Sequence, residues 1–263
     1  MRKILINLLL AVAATGLFAG GLTLEEWLPR ANHGDAEAQY NLATFYDFGK
    51  GVPQDPVEAA KWYRKAALQG HAIAQNNLGV QYENGNGVPK DYAEAVKWYR
   101  MAAAQGHARA EAHLGYCYEA GEGVAQDFAE ALKWLRMSAA QGFPTAQFGL
   151  GYCYEKGEGV AQDPAEAAKW YLKAAGQGHM GAQNALGELY QSGKGLAQND
   201  LEAIAWFRKA ADEGDWMAQL NLGRVYRDGK GVPVDLATAK AWFTKAAAQG
   251  SDEAKKALAS LGK

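Results

Sequence analysis

The sequence predicts an all-α fold, a solenoid of six 36-residue helix–turn–helix repeats with a capping helix at each end. Glycine recurs every 36 residues from Gly34 to Gly250, with no insertion or deletion between copies. Each interval carries one Ala-Leu-Tyr stripe at helical spacing, then a second stripe around a tryptophan. A strict period of this length is typical of stacked supersecondary units rather than of a globular enzyme built around one site.

The N-terminus has the layout of a secretory signal peptide, which we place at residues 1–21. A basic Met1-Arg2-Lys3 precedes the apolar run from Ile4 to Ala19, and small residues follow. The run is short for a bilayer-spanning helix, which needs about 20 residues; an uncleaved anchor is the alternative. We therefore expect a periplasmic or secreted protein with no stable membrane insertion after cleavage. Residues 22–34 then form a partial helix before the first repeat.

Charge and cysteine content narrow the possible partners. The formal net charge is −2 and no basic stripe is present, so we expect no nucleic-acid partner. Cys117 and Cys153 occupy the same place in adjacent repeats. Packed helices lie about 8–10 Å apart, whereas a disulfide needs Cα atoms within roughly 7 Å. Unpaired thiols are therefore expected, with a bridge between repeats as the minority alternative.

The first helix and turn of a repeat are illustrated by residues 71–106. Ala74, Leu78 and Tyr82 form the buried stripe, and Gly79 beside them predicts close approach of the partner helix, because a mid-helix glycine otherwise costs up to about 1 kcal/mol. Gly85-Asn86-Gly87-Val88-Pro89 follows as a left-handed cap and a stop. A phosphate-binding loop is the alternative, but no strand precedes this turn and no Gly-Lys-Ser/Thr follows it.

The second helix begins at Asp91, which we interpret with Glu94 as a capping box. It buries Ala95, Trp98 and Tyr99 on one face. Because tryptophan recurs here in every repeat, we interpret it as core and not as a ligand platform, with truncation costing about 3–5 kcal/mol. Residues 251–263 supply a C-terminal capping helix.

These motifs, Ala-x-x-x-Leu-Gly-x-x-Tyr, Gly-x-Gly-Val-x-x-Asp and Glu-Ala-x-Lys-Trp-Tyr-x-Lys-Ala-Ala, closely resemble the Sel1-like repeat family, a relative of the tetratricopeptide repeat. The resemblance implies a right-handed superhelix that serves as an adaptor for protein complexes. A cysteine-rich secreted branch of the family is linked to penicillin binding and weak β-lactamase activity, but this chain lacks its two cysteines per repeat. The six copies span residues 35–70, 71–106, 107–142, 143–178, 179–214 and 215–250.

Function is expected at positions that vary between repeats, on the side of the first helix away from the buried stripe. These positions should form a concave surface on the order of 50–60 Å long, at about 8–10 Å per repeat. Arginine and tyrosine near its centre are residue types that dominate binding energy, while a solvated face with incidental aromatics is the alternative. The candidate partner-binding residues are Asn41, Asn77, Arg109, His113, Tyr116, Tyr152, Lys156, Glu188, Asn221 and Arg224.

Catalytic and metal sites are not indicated. His71, His107 and His179 open their repeats and mark helix starts, too far apart to share a zinc ion. Ser260-Leu261-Gly262-Lys263 matches Ser-x-x-Lys without the companion motifs, and a His113–Cys117 dyad would lack an orienting third group. We predict no catalytic, cofactor-binding or metal-binding residue.

The predicted function is therefore that of an exported, monomeric, non-enzymatic scaffold that binds a protein or peptide through the concave face of the first helices. A binder of β-lactams or cell-wall fragments with weak β-lactamase activity is one alternative. A structural spacer is the other. The identity of the partner does not follow from the sequence.

Overall fold

Helices account for all the regular structure of residues 23–261, the part of the chain that the computed structural model describes. The predicted signal peptide, residues 1–21, lies outside these residues. None of the helices in residues 23–261 is long and apolar enough to cross a membrane.

Each repeat contributes a first helix, called helix A, and a second, called helix B. The A helices are α2 Ala36–Phe48, α4 Ala72–Asn84, α6 Ala108–Ala120, α8 Pro144–Lys156, α10 Met180–Ser192 and α12 Trp216–Asp228. The B helices are α3 Pro56–Leu68, α5 Tyr92–Ala103, α7 Phe128–Ala140, α9 Pro164–Gly176, α11 Asp200–Asp212 and α13 Leu236–Ala248. The terminal helices are α1 Leu24–Asn32 and α14 Asp252–Leu261.

The chain divides into two compact units, one ending at Trp134 and the other beginning at Leu135. In the first unit α2 packs on α3 and α4 on α5; in the second, α8 packs on α9, α10 on α11 and α12 on α13. The terminal helices pack on their neighbours, α1 on α2 and α14 on α13. This succession of paired helices confirms the predicted all-α solenoid of helical repeats.

The mid-helix glycine of helix A makes room for an aromatic ring of helix B. A Cβ atom on Gly79 would lie 2.5 Å from Cε1 of Tyr99, far inside van der Waals contact. Tyr99 is fully buried, and its ring takes the space that a side chain would need. The predicted close approach of helix B to Gly79 is thus confirmed, and the group that approaches is the Tyr99 ring. The same contact recurs as Gly151–Tyr171, Gly187–Phe207 and Gly223–Phe243.

The two glycines of each Gly-x-Gly turn have different tasks. The first ends helix A in the left-handed conformation, with φ between 64° at Gly49 and 80° at Gly157, as predicted. The second touches the preceding repeat, because a Cβ on Gly87 would lie 2.0 Å from the carbonyl oxygen of Pro56 at the start of α3. The turn needs both glycines to be left-handed, since Gly87 has a φ of 75°, and Gly87 in addition allows two repeats to pack closely.

Only one of the two hydrogen bonds of the predicted capping box of helix B is present, so the prediction is wrong for the other. The Asp91 carboxylate accepts from the Glu94 N–H at 3.0 Å, as a cap should. The Glu94 carboxylate, however, pairs with Lys97 at 2.6 Å, and the Asp91 N–H donates to the carbonyl oxygen of Tyr82 at 2.9 Å. Because helix A already satisfies that N–H, the glutamate is left for the lysine. Lys61–Glu58 and Lys169–Glu166 repeat this pairing.

The repeated tryptophans lie at the border of the core. Trp62 and Trp98 are buried, with 6% of the surface of each residue exposed. The other four copies are half-buried: Trp134, Trp170, Trp206 and Trp242. A lysine ammonium lies over several of these rings: Lys65 lies 3.5 Å from the Trp62 centroid and Lys173 lies 3.8 Å from that of Trp170. The prediction that every copy is core is therefore wrong for the four half-buried rings.

Buried glutamines connect successive repeats. Gln75 Nε2 donates to the carbonyl oxygen of Ala67 at 3.0 Å, and Gln105 Nε2 donates to Gln75 Oε1 at 2.8 Å. The second bond recurs in three other repeats, in the pairs Gln69–Gln39, Gln177–Gln147 and Gln249–Gln219. In the fifth repeat the position of the donor is taken by Glu213, and the buried Gln183 Oε1 has no hydrogen-bond partner among the described residues.

Candidate functional site

Four surface grooves in the described residues are lined by the A helices, by α14 and by the turns that adjoin them. No residue from the body of a B helix lines any of these four. We call the surface that carries them the helix-A face, and we describe it separately for each compact unit.

The first unit has a groove of about 390 Å³ between α2, α4 and α6. Three of the predicted partner-binding residues, Asn77, Arg109 and His113, line it. Asn41 does not; it is half-buried on α2 and donates from Nδ2 to the carbonyl oxygen of Glu37 at 2.9 Å. The remaining lining residues are Asp47, Phe48, Asn76, Val80, Gln81, Asn84 and Asn86.

Polar groups form the floor of this groove. The Asp47 carboxylate accepts from the Tyr63 hydroxyl and from Gln81 Nε2, both at 3.1 Å. The buried Asn76 Oδ1 and Gln81 Oε1 have no donor among the described residues, and an unmet buried acceptor costs about 1–3 kcal/mol. Gln81 was not predicted from the sequence. A signal was available, because other repeats carry the apolar Phe45 and Leu189 at this place.

The His113 side chain packs against neighbouring side chains and is not freely exposed to solvent. Its ring stacks on Tyr99 at a centroid distance of 4.8 Å, and Nδ1 lies 3.9 Å from Glu83 Oε2. The Tyr99 hydroxyl donates to the same Glu83 carboxylate. Burial lowers the pKa of His113, an effect that the Glu83 charge opposes. His113 therefore belongs to a structured Tyr99–Glu83–His113 cluster at the edge of the groove.

Cys117 and Cys153 are buried thiols, and no disulfide joins them. Burial raises the pKa of the Cys117 thiol to about 12. Because the thiolate is the nucleophilic form, this environment makes Cys117 unreactive at neutral pH.

The two tyrosines that the sequence placed at the centre of the binding surface, Tyr116 and Tyr152, are half-buried. They belong to different compact units. In the second unit Lys156 Nζ lies 5.4 Å from the centroid of the Tyr152 ring and pairs with Glu155 at 2.7 Å. The structure thus brings Lys156 and Tyr152 together.

The predicted residues of the last two repeats form one hydrogen-bonded network. Asn221 Nδ2 donates to Glu188 Oε1 and to Asn184 Oδ1, both at 3.0 Å. Arg224 donates to Asn221 Oδ1 at 3.2 Å and pairs with Glu253 of α14 at 2.5 Å. Asn184, only 5% exposed, was not predicted from the sequence.

Two grooves of the second unit share Glu188, Asn221 and Arg224. The wider one, of about 550 Å³, is also lined by Trp216, Met217, Leu220 and the residues from Gln249 to Glu253. The other, of about 330 Å³, extends toward Glu155 and Lys194. Trp216 and Met217 are each 41% exposed. Sequence analysis did not single out Trp216, although Ala72 and Ala108 occupy its place in earlier repeats.

The histidines that open their repeats are helix caps. Nδ1 of His71, His107 and His179 accepts the N–H of Ala74, Ala110 and Ala182, each at 3.2 Å. This confirms that they mark helix starts. Across residues 23–261, no three His, Cys, Asp or Glu side chains are grouped so that they could hold a metal ion.

Comparison with known families and structures identifies relatives over most of the chain. The family model described as Sel1 repeat matches residues 36–71, 72–107, 108–143, 144–179, 181–215 and 216–251. Comparison with proteins of curated function found no significant match.

Two solved structures are similar in both sequence and fold. A protective antigen of uropathogenic Escherichia coli that displays an SLR fold is 40% identical over 90% of this chain, with a TM-score of 0.80. The match covers 51% of that antigen, so this chain spans about half its length. A Sel1 repeat protein of Oxalobacter formigenes is 35% identical, with 84% of this chain and 92% of that chain covered and a TM-score of 0.78.

A more distant structure shares the fold alone. An immunity protein of Pseudomonas aeruginosa is 23% identical over 82% of each chain, with a TM-score of 0.56.

Proposed function

We propose that this chain, which belongs to the Sel1 repeat family, is an exported scaffold that binds a partner protein through its helix-A face. Sel1 repeats are generally protein–protein interaction modules and are typically non-catalytic. The observation that carries the proposal is the placement of the four grooves described above, which are lined by A helices, α14 and adjoining turns.

The composition of these grooves supports a protein partner. The groove of the first unit combines Arg109 with carboxamides and the exposed Phe48. The wider groove of the second unit combines Arg224 with the exposed Trp216 and Met217. Aromatic residues, methionine and arginine are enriched at protein interfaces, and a few such residues carry most of the binding energy.

Export rests on the signal-peptide layout of residues 1–21, so we place the scaffold in the periplasm or outside the cell. Cell fractionation, with the N-terminus of the mature chain read by mass spectrometry, tests this directly. A chain that keeps Met1 and stays in the cytoplasm would contradict export without affecting the interaction proposal.

The proposed role involves no catalysis. Of the nucleophiles considered from sequence, Cys117 is a buried thiol with its pKa raised to about 12. A chromogenic β-lactam assay tests the enzymatic alternative, since turnover comparable with that of dedicated hydrolases would overturn the scaffold proposal.

Photo-crosslinking in living cells tests the partner face. A photoreactive amino acid in place of Asn84 probes the first unit, and one in place of Met217 probes the second. The matched controls replace Lys97 and Leu201, which are exposed on B helices. We expect discrete adducts to one protein from a helix-A position and none from the controls. Adducts from the B positions alone, or from none of the four, would refute the proposal.

A further inference from the structure

We infer that the wider groove of the second unit binds a peptide segment in which a large apolar side chain lies next to an arginine or lysine. The inference rests on the proposed scaffold function and adds the chemistry of the partner. It depends on an apolar surface and an uncompensated carboxylate that share one groove.

The apolar part is formed by Trp216 and Met217, which open α12, above the buried Leu220. Both exposed side chains line the same groove, so their apolar surfaces are adjacent. An exposed tryptophan beside a methionine loses contact with water when an apolar side chain binds, and burial contributes about 25 cal/mol for each Å² of apolar area. This part of the groove therefore favours an apolar ligand group.

The charged lining is predominantly acidic. Glu188, Asp252 and Glu253 contribute three carboxylates, and Arg224 is the one lysine or arginine among the residues that line this groove. Arg224 pairs with Glu253, and Asp252 pairs with Lys255 at 2.8 Å. Glu188 forms no ion pair within 4 Å among the described residues: Lys156, another cation of the helix-A face in this unit, interacts with it only at longer range and pairs with Glu155. A basic ligand group is therefore favoured and an acidic one disfavoured.

The Glu188 carboxylate is held in position before any ligand binds. Asn184 Nδ2 and Asn221 Nδ2 both donate to Oε1, each at 3.0 Å. The other oxygen, Oε2, accepts no hydrogen bond from the described residues, which leaves it for a charge-assisted bond to a guanidinium or ammonium group. Because the nearly buried Asn184 fixes the carboxylate, less conformational entropy is lost when a cation binds.

A peptide fits this combination better than a sugar or a small cation does. A carbohydrate has no positive charge to match Glu188, and a small cation leaves the Trp216–Met217 surface exposed. Neighbouring side chains of a peptide supply both groups at once, and a groove of about 550 Å³ has room for them.

Titration with labelled peptides tests the inference on the full mature chain. The probe is a fluorescein-labelled ten-residue Gly/Ser peptide with Phe-Arg at its centre. Two companion peptides replace that pair with Phe-Glu and with Ser-Arg. Fluorescence anisotropy should show saturable binding of the Phe-Arg peptide. The other two peptides should bind about threefold to fivefold more weakly, as expected when an interaction worth about 1 kcal/mol is lost.

Two variants assign the contacts. Glu188→Gln should weaken the Phe-Arg peptide about threefold to fivefold and remove its advantage over the Phe-Glu peptide. Trp216→Ala should weaken the Phe-Arg peptide and leave the Ser-Arg peptide unchanged. Glu202→Gln, an exposed carboxylate on helix α11 of the same unit, is the matched control and should change nothing.

Equal binding of the Phe-Glu peptide, full binding by Glu188→Gln, or no saturable binding of any peptide would overturn the inference. So would saturable binding of a neutral N-acetylglucosamine oligosaccharide when none of the three peptides binds. If the peptides fail but a photoreactive residue in place of Met217 or Asn84 still captures a partner in cells, the scaffold function stands and only this assignment falls. If neither helix-A position captures a partner, the scaffold function falls as well.

Discussion

Gln105 donates from its Nε2 to Gln75 Oε1 at 2.8 Å, a bond that joins the end of one helix B to the helix A thirty residues before it. Gln75 in turn donates to the carbonyl oxygen of Ala67, in the last turn of the preceding helix B. One pair of side chains therefore connects three consecutive segments of the array. The same arrangement recurs in both compact units, and its one visible defect in the described residues is at Gln183.

We predict that Glu213→Gln stabilises the second unit. An ionised carboxylate cannot donate to the buried Gln183 Oε1, whereas a carboxamide at the same place can. Restoring this hydrogen bond should raise the free energy of unfolding by about 0.5–1.5 kcal/mol, measured by urea denaturation. The matched control, Gln177→Glu, removes the donor to Gln147 and should destabilise the protein. An unchanged or lower stability of Glu213→Gln would contradict the prediction.

Gly79→Ala should destabilise the first unit by about 1–3 kcal/mol, although alanine is the better helix former. Its methyl group would lie 2.5 Å from the buried Tyr99 ring, which has no space to retreat into without moving α5. Gly176→Ala is the control, because Gly176 is also helical but meets nothing within 4 Å. That change should stabilise the protein by about 0.5–1 kcal/mol. If both variants shifted the melting temperature in the same direction relative to the parent chain, the steric explanation would be refuted.

The histidine cap of the fifth repeat should make stability depend on pH. Burial lowers the pKa of His179 below its ordinary value of 6.5, and its neutral Nδ1 accepts the Ala182 N–H. A group whose pKa is lowered on folding contributes stability above its unfolded pKa and loses it as the pH falls through the folded value. The free energy of unfolding should therefore decrease as the pH falls from 7 to 5.

His179→Asp isolates this effect, since Asp215 caps the next repeat in the same way at 2.7 Å. The variant should lose less stability than the parent chain between pH 7 and pH 5, measured by urea denaturation at each pH. An identical pH dependence in both proteins would show that His179 is not the source.

Cys117 should resist alkylation in the folded protein. Burial raises its pKa to about 12, so almost no thiolate forms at pH 8. In a Cys153→Ala background, iodoacetamide should modify Cys117 at least a hundredfold more slowly in buffer than in urea, as followed by mass spectrometry. A folded protein that reacts as fast as the unfolded one would contradict the burial of this thiol.

The fold was largely predictable because a repeat presents the same pattern six times. The left-handed glycine caps and the histidine helix starts depend on interactions within a few residues, and the structure confirms them. Ala74 and Leu78 are buried as predicted, because helical periodicity shows which face of a helix is apolar. The capping box failed for a non-local reason, since Tyr82 of the previous helix takes the Asp91 N–H. The close packing at Gly87 likewise depends on contact with another repeat.

The candidate site was predictable only in part. Position on helix A identified Glu188, Asn221 and Arg224, and the structure joins them in one network. The same positional reasoning did not single out Trp216, because exposure depends on which neighbouring helix covers a side chain.

The sequence by itself determined the repeat length, the helix boundaries and the family, because backbone caps and helical periodicity are local properties. Only the tertiary structure decided which polar groups find partners. It satisfies Gln75 across three segments, leaves Gln183 Oε1 and Glu188 Oε2 without a donor from residues 23–261, and places Trp216 beside Met217 in an acidic groove. Hydrogen bonds and burial between repeats join residues that lie about thirty positions apart, and such pairings are set by packing rather than by local pattern.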